Sequence, residues 1–402
     1  MNHELTGLAG PPGEPATIWN RSFIILFFAN MAFNMGLNMS NSLVAIYANH
    51  LGASAAAIGF VASSFGISSL LFRMISAPVM DTYNRKYLVV FAALMLSVAF
   101  GGFSISNNLP MMVGFRLVQG CGMAFGNACC LAMVADMLPK EKYNSGLGYY
   151  SLAQVVCSAI GPSVGLELVD RVGFRATYTL TACFMLLAAF LICWIKTNFT
   201  RTKKLKLSFQ SIIAKEALLP ASFQFLMLLG GAGAHSFLFL FAREQGVTGN
   251  IGLYSTVSAI TMLATRPFIG RLTDKYGLAK TVIPAVLCNT LSLYIVSIST
   301  TLAGFLFAAL ISAFGQGALG PAIQALVMKS VPSERRGSAS TTNFIAQDLG
   351  SMIGPVLAGA IAQSFGYVVM WRIMAIPTLI GAAVLVMFKS TIVRIEEEFA
   401  AR

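Results

Sequence analysis

The residues able to do chemistry in this sequence lie inside apolar runs. Asp348 stands about ten residues into one of them. A carboxylate at that depth must pair, hold a cation or exchange a proton. Asp348 is therefore a candidate proton carrier, a counter-ion for a cationic substrate, or one half of a salt bridge to a neighbouring helix. Arg116 lies one or two turns inside another run, with Gln119 on the same face. It faces a cavity or a partner, or it snorkels to the outer interface. Asn30, Asn34, Asn38 and Asn41 recur at spacings of 4, 4 and 3 and make one polar helical face. Amides in hydrocarbon need partners or water, so the stripe either lines a substrate cavity or bonds between helices. Asn30, Asn34 and Asn38 are the better placed, because Asn41 nears the outer end. Asn127, Gln154, His235, Gln316, Gln324, Asn343 and Gln347 are further in-span polar groups, and an imidazole ordinarily titrates near neutrality. Met31, Met35 and Met39 also recur every four residues, a spacing that suits Cu(I). With 20 methionines in the chain they read as packing filler, and no metal site or cofactor is expected.

These side chains must be held by elements that live in lipid. Of 402 residues, 56% are hydrophobic and only 10% charged, with a mean hydropathy of +0.75. So few charges cannot cover a water-exposed surface. Twelve apolar runs are long enough to cross a bilayer: about 22–47, 56–77, 87–106, 110–137, 145–168, 175–195, 219–242, 251–272, 280–299, 302–329, 338–364 and 370–390. Such uninterrupted runs are helices and not barrel strands, which alternate. The expected fold is an all-α membrane protein. The net charge of +12 reflects topology and not nucleic acid: twenty-one Lys and Arg fall on one side of the spans and four on the other. Both termini are expected to be cytoplasmic. The first 20 residues are a polar tail without a basic n-region, and the first run is a retained span. All seven cysteines sit in apolar runs without C-x-x-C spacing and read as small buried hydrophobes. There is no G-x-x-x-x-G-K-[ST] loop, no G-x-S-x-G elbow and no His/Cys/carboxylate cluster of catalytic-metal type. An enzyme or a primary pump is therefore not expected.

A basic linker, 196–218, divides the chain into halves at 21–195 and 219–390, followed by a tail at 391–402. The halves repeat. Pro139 and Pro332, Glu141 and Glu334, Gln154 and Gln347, and Gly161-Pro162 and Gly354-Pro355 are each 193 residues apart. The same offset joins Arg73 to Arg266 and Asp81 to Asp274. One register held across loops and helices implies two equivalent six-helix bundles.

Four local motifs resemble those of the major facilitator superfamily of secondary transporters. The segment A-P-V-M-D-T-Y-N-R-K, from Ala77, and its echo G-R-L-T-D-K-Y-G-L-A-K, from Gly270, resemble the family's loop pattern G-x-x-x-D-R-x-G-R-K. The first lacks both glycines and the second lacks the arginine. The resemblance implies a cytoplasmic gate built from Asp81, Arg85 and Asp274, with Asp136 as the partner of Arg85. R-L-V-Q-G, from Arg116, is similar to the family's R-x-x-Q-G, which implies proton coupling or anion binding by Arg116 and Gln119. S-A-I-G-P-S-V-G, from Ser158, resembles the signature of exporting exchangers and implies conformational roles for Gly161, Pro162 and Gly165, echoed by Gly354 and Pro355.

The resemblance implies a proton-driven antiporter exporting small amphipathic organic compounds from a prokaryotic inner membrane. Protons, a small-molecule substrate and lipid are its expected partners, and one chain, holding both halves of a cavity, is expected to act as a monomer. A proton-coupled symporter importing a polar metabolite or organic anion is the alternative, and a non-transporting membrane receptor the third reading. Span 1 offers asparagines where many proton-coupled exporters carry an acid, which places more of the proton role on Asp348.

Overall fold

The computed structural model describes residues 20–138, 143–195, 213–276, 278–332 and 335–400. Among them there are helices and no strands. The helices of the first half are α1 (Arg21–His50), α2 (Ala55–Thr82), α3 (Arg85–Ile105), α4 (Leu109–Met137) and α5 (Tyr143–Cys193). Those of the second are α6 (Leu218–His235), α7 (Leu238–Glu244), α8 (Leu253–Tyr276), α9 (Leu278–Ile298), α10 (Leu302–Lys329), α11 (Arg336–Phe365), α12 (Tyr367–Ile373), α13 (Ala375–Met387) and α14 (Lys389–Ala400). Short polar side chains open several of them. Asn20 accepts from the Phe23 N–H at 2.8 Å and Asn108 from the Met111 N–H at 2.9 Å.

Nine stretches of the described residues are long and apolar enough to cross a membrane. One of them, Tyr149–Cys193, holds two spans, because Gly173 breaks the helix at φ 80° and ψ 172°. Gly366, 193 residues on, separates α11 from α12 at φ 82° and ψ 164°. A left-handed φ favours glycine, so the repeat is written into the backbone as well as the sequence. Helices α3, α4 and α5 begin 193 residues before α9, α10 and α11. With α4 and α8 the spans number twelve among the described residues. Thr261, Thr265, Arg266 and Arg271 make α8 less apolar than those nine stretches, and it packs between α5 and α10.

Two details differ from expectation. The seventh span is broken: α6 ends at His235, the Phe237 N–H turns back to the Ala234 carbonyl at 3.0 Å, and α7 starts at Leu238. The run Gly230-Gly231-Ala232-Gly233 just before the break weakens the helix there. The stretch read as a C-terminal tail forms α14 up to Ala400. Residues 1–19 and the linker from 196 to 212 lie outside the described residues.

The distribution of the core decides where the molecule opens. At the end opposite the termini a single buried apolar cluster joins both halves, with Tyr47, Phe100 and Tyr178 from one and Phe241, Phe305 and Trp371 from the other. At the terminus end each half has a core of its own. Phe23, Leu26, Val134 and Ile192 form one, and Phe223, Val282, Leu326 and Leu385 the other. The bundles touch through α2 with α11 and α5 with α8. A Cβ on Gly59 would fall on the Pro355 carbonyl, and one on Gly252 would fall on the Ser163 backbone. Packed apolar surface thus closes the far end, and the cleft faces the terminus end.

Candidate functional site

Among the described residues, the shortest polar tie between the bundles is an ion pair. Arg73 of α2 donates from Nε to Asp348 Oδ2 at 2.5 Å and from Nη2 to Oδ1 at 3.2 Å. The guanidinium also lies 5.0 Å from the centroid of the Phe344 ring. Side-chain exposures of 21% and 11% leave the pair half-shielded from solvent. Arg73 is nine residues from the end of α2 and Asp348 twelve from the start of α11. At about 1.5 Å per residue both sit just to the terminus side of mid-span. The pair follows the Gly59–Pro355 and Gly66–Met352 contacts toward the terminus end of the α2–α11 seam.

Among the described residues no carboxylate lies beside Arg116. It is 6% exposed, so it does not snorkel. Its Nη1 donates to Gln119 Oε1 at 2.6 Å and to Asn41 Oδ1 at 3.4 Å. Nε and Nη2 donate to the Val61 and Ala62 carbonyls of α2 at 3.3 and 3.1 Å. Gln119 Nε2 in turn donates to Asn41 Oδ1 at 3.0 Å, and the guanidinium lies 5.3 Å from the centre of Phe65. Amide oxygens and helix carbonyls stand in for a counter-ion, which fixes α4 against α1 and α2. Arg116→Lys keeps the charge and loses the fork. It is expected to lower unfolding stability by about 2–3 kcal/mol, the worth of one charge-assisted bond, read from denaturant titration of the purified protein. An unchanged transition would remove this role.

The asparagine stripe is a ladder. Asn38 Nδ2 donates to the Asn34 carbonyl at 2.8 Å, Asn34 Nδ2 to Asn30 Oδ1 at 2.7 Å, and Asn30 Nδ2 to the Tyr150 carbonyl of α5 at 3.3 Å. Asn30 and Asn34 are buried, Asn38 is half-buried and Asn41 is exposed. The inner rungs therefore tie α1 to α5, and the accessible end of the stripe is Asn38 and Asn41.

A second cluster sits at the broken span. Gln316 is exposed and lies with Nε2 3.4 Å from His235 Nε2, while donating to Ser312 Oγ at 2.8 Å. The His235 ring meets Tyr254 and Trp371 edge-on at 5.9 and 6.5 Å. Asn343 donates to Gln324 Oε1 at 2.8 Å between α11 and α10. Gln154 and Gln347 are half-buried on α5 and α11. The side chains of Asp81, Asp136, Asp274 and Asn127 lie outside those described, and Arg85 opens α3 beside its cap Asn84.

The glycine–proline pairs sit at helix crossings. A Cβ on Gly161 would be 2.8 Å from the Asn38 Cβ, and one on Gly165 would be 3.1 Å from the Met39 carbonyl. On Gly354 it would be 2.7 Å from the Leu229 carbonyl. Pro162 and Pro355 lie inside their helices, the latter presenting its carbonyl to Gly59.

Arg73 was not among the site candidates read from sequence and Asn41 was ranked below the other asparagines of its stripe, although both are in these clusters. The signal for Arg73 was its 193-residue match to Arg266, which marks an in-span arginine held in both halves.

Comparison with known proteins agrees with this architecture. A family model described as Major Facilitator Superfamily matches residues 26–249 and 221–398. The chain is 27% identical over 375 residues to the multi-drug resistance efflux pump PmrA of Streptococcus pneumoniae, covering 87% of this chain and 91% of that one. It is 25% identical over 378 residues to the multidrug resistance protein MdtG of Salmonella schwarzengrund, covering 89% and 92%. Among solved structures, the nucleoside transporter NupG superposes with a TM-score of 0.74 at 14% identity, over 92% of this chain and 100% of that one. A bacterial homologue of the human lysosomal transporter Spinster, inward-facing and unoccupied, superposes at 0.76 and 13% identity, over 93% and 97%.

Proposed function

The chain belongs to the Major Facilitator Superfamily, and on that premise we propose that it exports small amphipathic organic compounds by proton-coupled antiport. It is an integral membrane transporter and not an enzyme. The observation that carries the proton role is the Arg73–Asp348 pair, a titratable group whose partner belongs to the opposite bundle. Export is supported by the relative named as a multi-drug resistance efflux pump, and the relative named as a multidrug resistance protein fits the same reading.

The cycle follows from charge. With the Lys/Arg-rich side in the cytoplasm, the open cleft faces inward. Asp348 is ionised and held by Arg73. Substrate enters from the cytoplasm along the accessible polar groups, Asn38 and Asn41 on one wall and Gln316 with His235 on the other. Opening outward separates α2 from α11 along their seam, parts the ion pair and exposes the carboxylate to external protons. A proton on Asp348 removes the charge that would otherwise stand alone in low dielectric. Return to the inward state brings Arg73 back, and its positive charge expels the proton into the cytoplasm. Each proton moved inward supplies about 2.3 kcal/mol per 100 mV of membrane potential. Asp81, Arg85, Asp136 and Asp274 serve as the cytoplasmic gate that closes when the cleft faces out.

Reconstituted protein with an internal pH dye tests this reading. Uphill efflux of an amphipathic dye should be accompanied by opposite proton movement, and a protonophore should bring it to the empty-liposome rate. Flux indifferent to the protonophore would overturn proton coupling, and proton movement in the same direction as substrate would make the chain an importer.

A further inference from the structure

The two seams between the bundles are copies of each other up to one position. On α2 and α11, Gly59 meets Pro355, Gly66 meets Met352 and Arg73 meets Asp348. Moving each residue by 193 positions gives the α5–α8 seam, with the first contact shifted by one residue from Pro162 to Ser163. Gly252 meets Ser163, Thr256 donates to the Ala159 carbonyl at 2.6 Å, and Ala259 packs on Ala159 and Val155. The next term is Arg266, and Val155 occupies the place equivalent to Asp348.

Arg266 lies seven residues beyond Ala259, about two helical turns, so it shares the face of α8 that packs on α5. Arg266 is exposed there. Its one polar neighbour is the Met262 thioether, 3.8 Å from Nη2, and among the described residues it pairs with no carboxylate. Arg73 neutralises Asp348, whereas among the described residues no carboxylate meets Arg266, so this seam keeps an accessible positive charge where its counterpart holds an ion pair.

We propose that Arg266 is an anion-recognition site at the inner end of the α5–α8 seam, taking the carboxylate or phosphate of a compound whose remaining body is apolar. The guanidinium supplies two parallel donors to such a group, and the surrounding span surfaces accept the apolar part. The site refines the substrate class of the transport reading above and rests on it for its purpose, but the binding itself does not.

The test is equilibrium binding to the full chain in nanodiscs of phosphatidylcholine. The probes are 1-naphthoate, 1-naphthalenemethanol and 1-naphthylmethylammonium, which share one apolar body. The wild type should prefer naphthoate over the alcohol by about tenfold or more, the worth of a charge-assisted hydrogen bond. Arg266→Gln should erase that preference and leave the alcohol affinity unchanged, Arg266→Lys should keep part of it, and Arg266→Glu should turn the preference to the ammonium. Displacement of naphthoate by added phosphatidylglycerol would support the same site with a lipid headgroup as its anion. No preference in the wild type, or an undiminished one in Arg266→Gln, would overturn the proposal. A chain that binds naphthoate but moves no solute would support this site and fail the transport reading alone.

Discussion

Asp348→Asn is expected to bring gradient-driven uphill flux down to the protonophore control while substrate exchange down its own gradient continues. The reason is that asparagine matches the shape of the carboxylate and still accepts a hydrogen bond from Arg73, but it cannot carry a proton. The substitution also leaves Arg73 without its counter-ion. Breaking a buried pair this way costs about 3–5 kcal/mol, and the partial exposure of both side chains lowers that figure here. Two effects are thus mixed in the single variant, loss of a proton site and loss of an inter-bundle tie. The double variant Asp348→Asn with Arg73→Gln separates them, since it restores charge balance without restoring titration. It should regain stability and conformational balance and still show no coupling. Recovery of uphill flux in the double variant would show that the pair is only a strut. Undiminished uphill flux in Asp348→Asn would move the proton to another group.

The second large effect concerns the closed end. Gly59 and Gly359 let α2 and α11 approach backbone to backbone, and a Cβ on Gly359 would lie 2.5 Å from the Ala55 carbonyl. Gly59→Val places a branched side chain into that contact. Overpacking of this kind costs about 1–3 kcal/mol, and the cost falls only on the state in which this seam is shut. The equilibrium should move toward the opposite-facing state by about 10- to 100-fold. Spin labels at Asn49→Cys and Ser364→Cys, both exposed at that end, would report it in a chain whose native cysteines are replaced. Pulsed dipolar spectra of Gly59→Val should gain a longer-distance population. Gly114→Val serves as the control, because a Cβ there meets nothing within 4 Å. Equal spectra for the two variants would mean that the glycine contact does not set the conformational balance.

Much of this was legible in the linear sequence because lipid imposes simple rules. A run of apolar residues of sufficient length must be a helix, and a constant 193-residue offset must be a repeat. The depth of Asp348 and Arg116 in their runs marked both as groups needing an explanation. Less was legible where a residue's role depends on a neighbour. Asn30 and Asn38 belong to one stripe by spacing, yet Asn30 is buried against the Tyr150 carbonyl and Asn38 is partly accessible. The break after His235 falls inside an unbroken apolar run, where hydropathy carries no signal.

The sequence by itself determined the class of fold, the twelve spans, the twofold repeat and the short set of in-span polar residues, because each follows from composition or local periodicity. The tertiary structure alone decided which of those polar groups meet. Arg73 and Asp348 are 275 residues apart, and Arg116 finds its acceptors on α1 and α2 rather than at an acid. Equivalent arginines in the two halves have different surroundings: Arg73 pairs with Asp348, and Arg266 meets no carboxylate among the described residues. Charge pairing depends on distances of a few ångströms in a low-dielectric interior. Those distances are set by how helices far apart in the chain pack together.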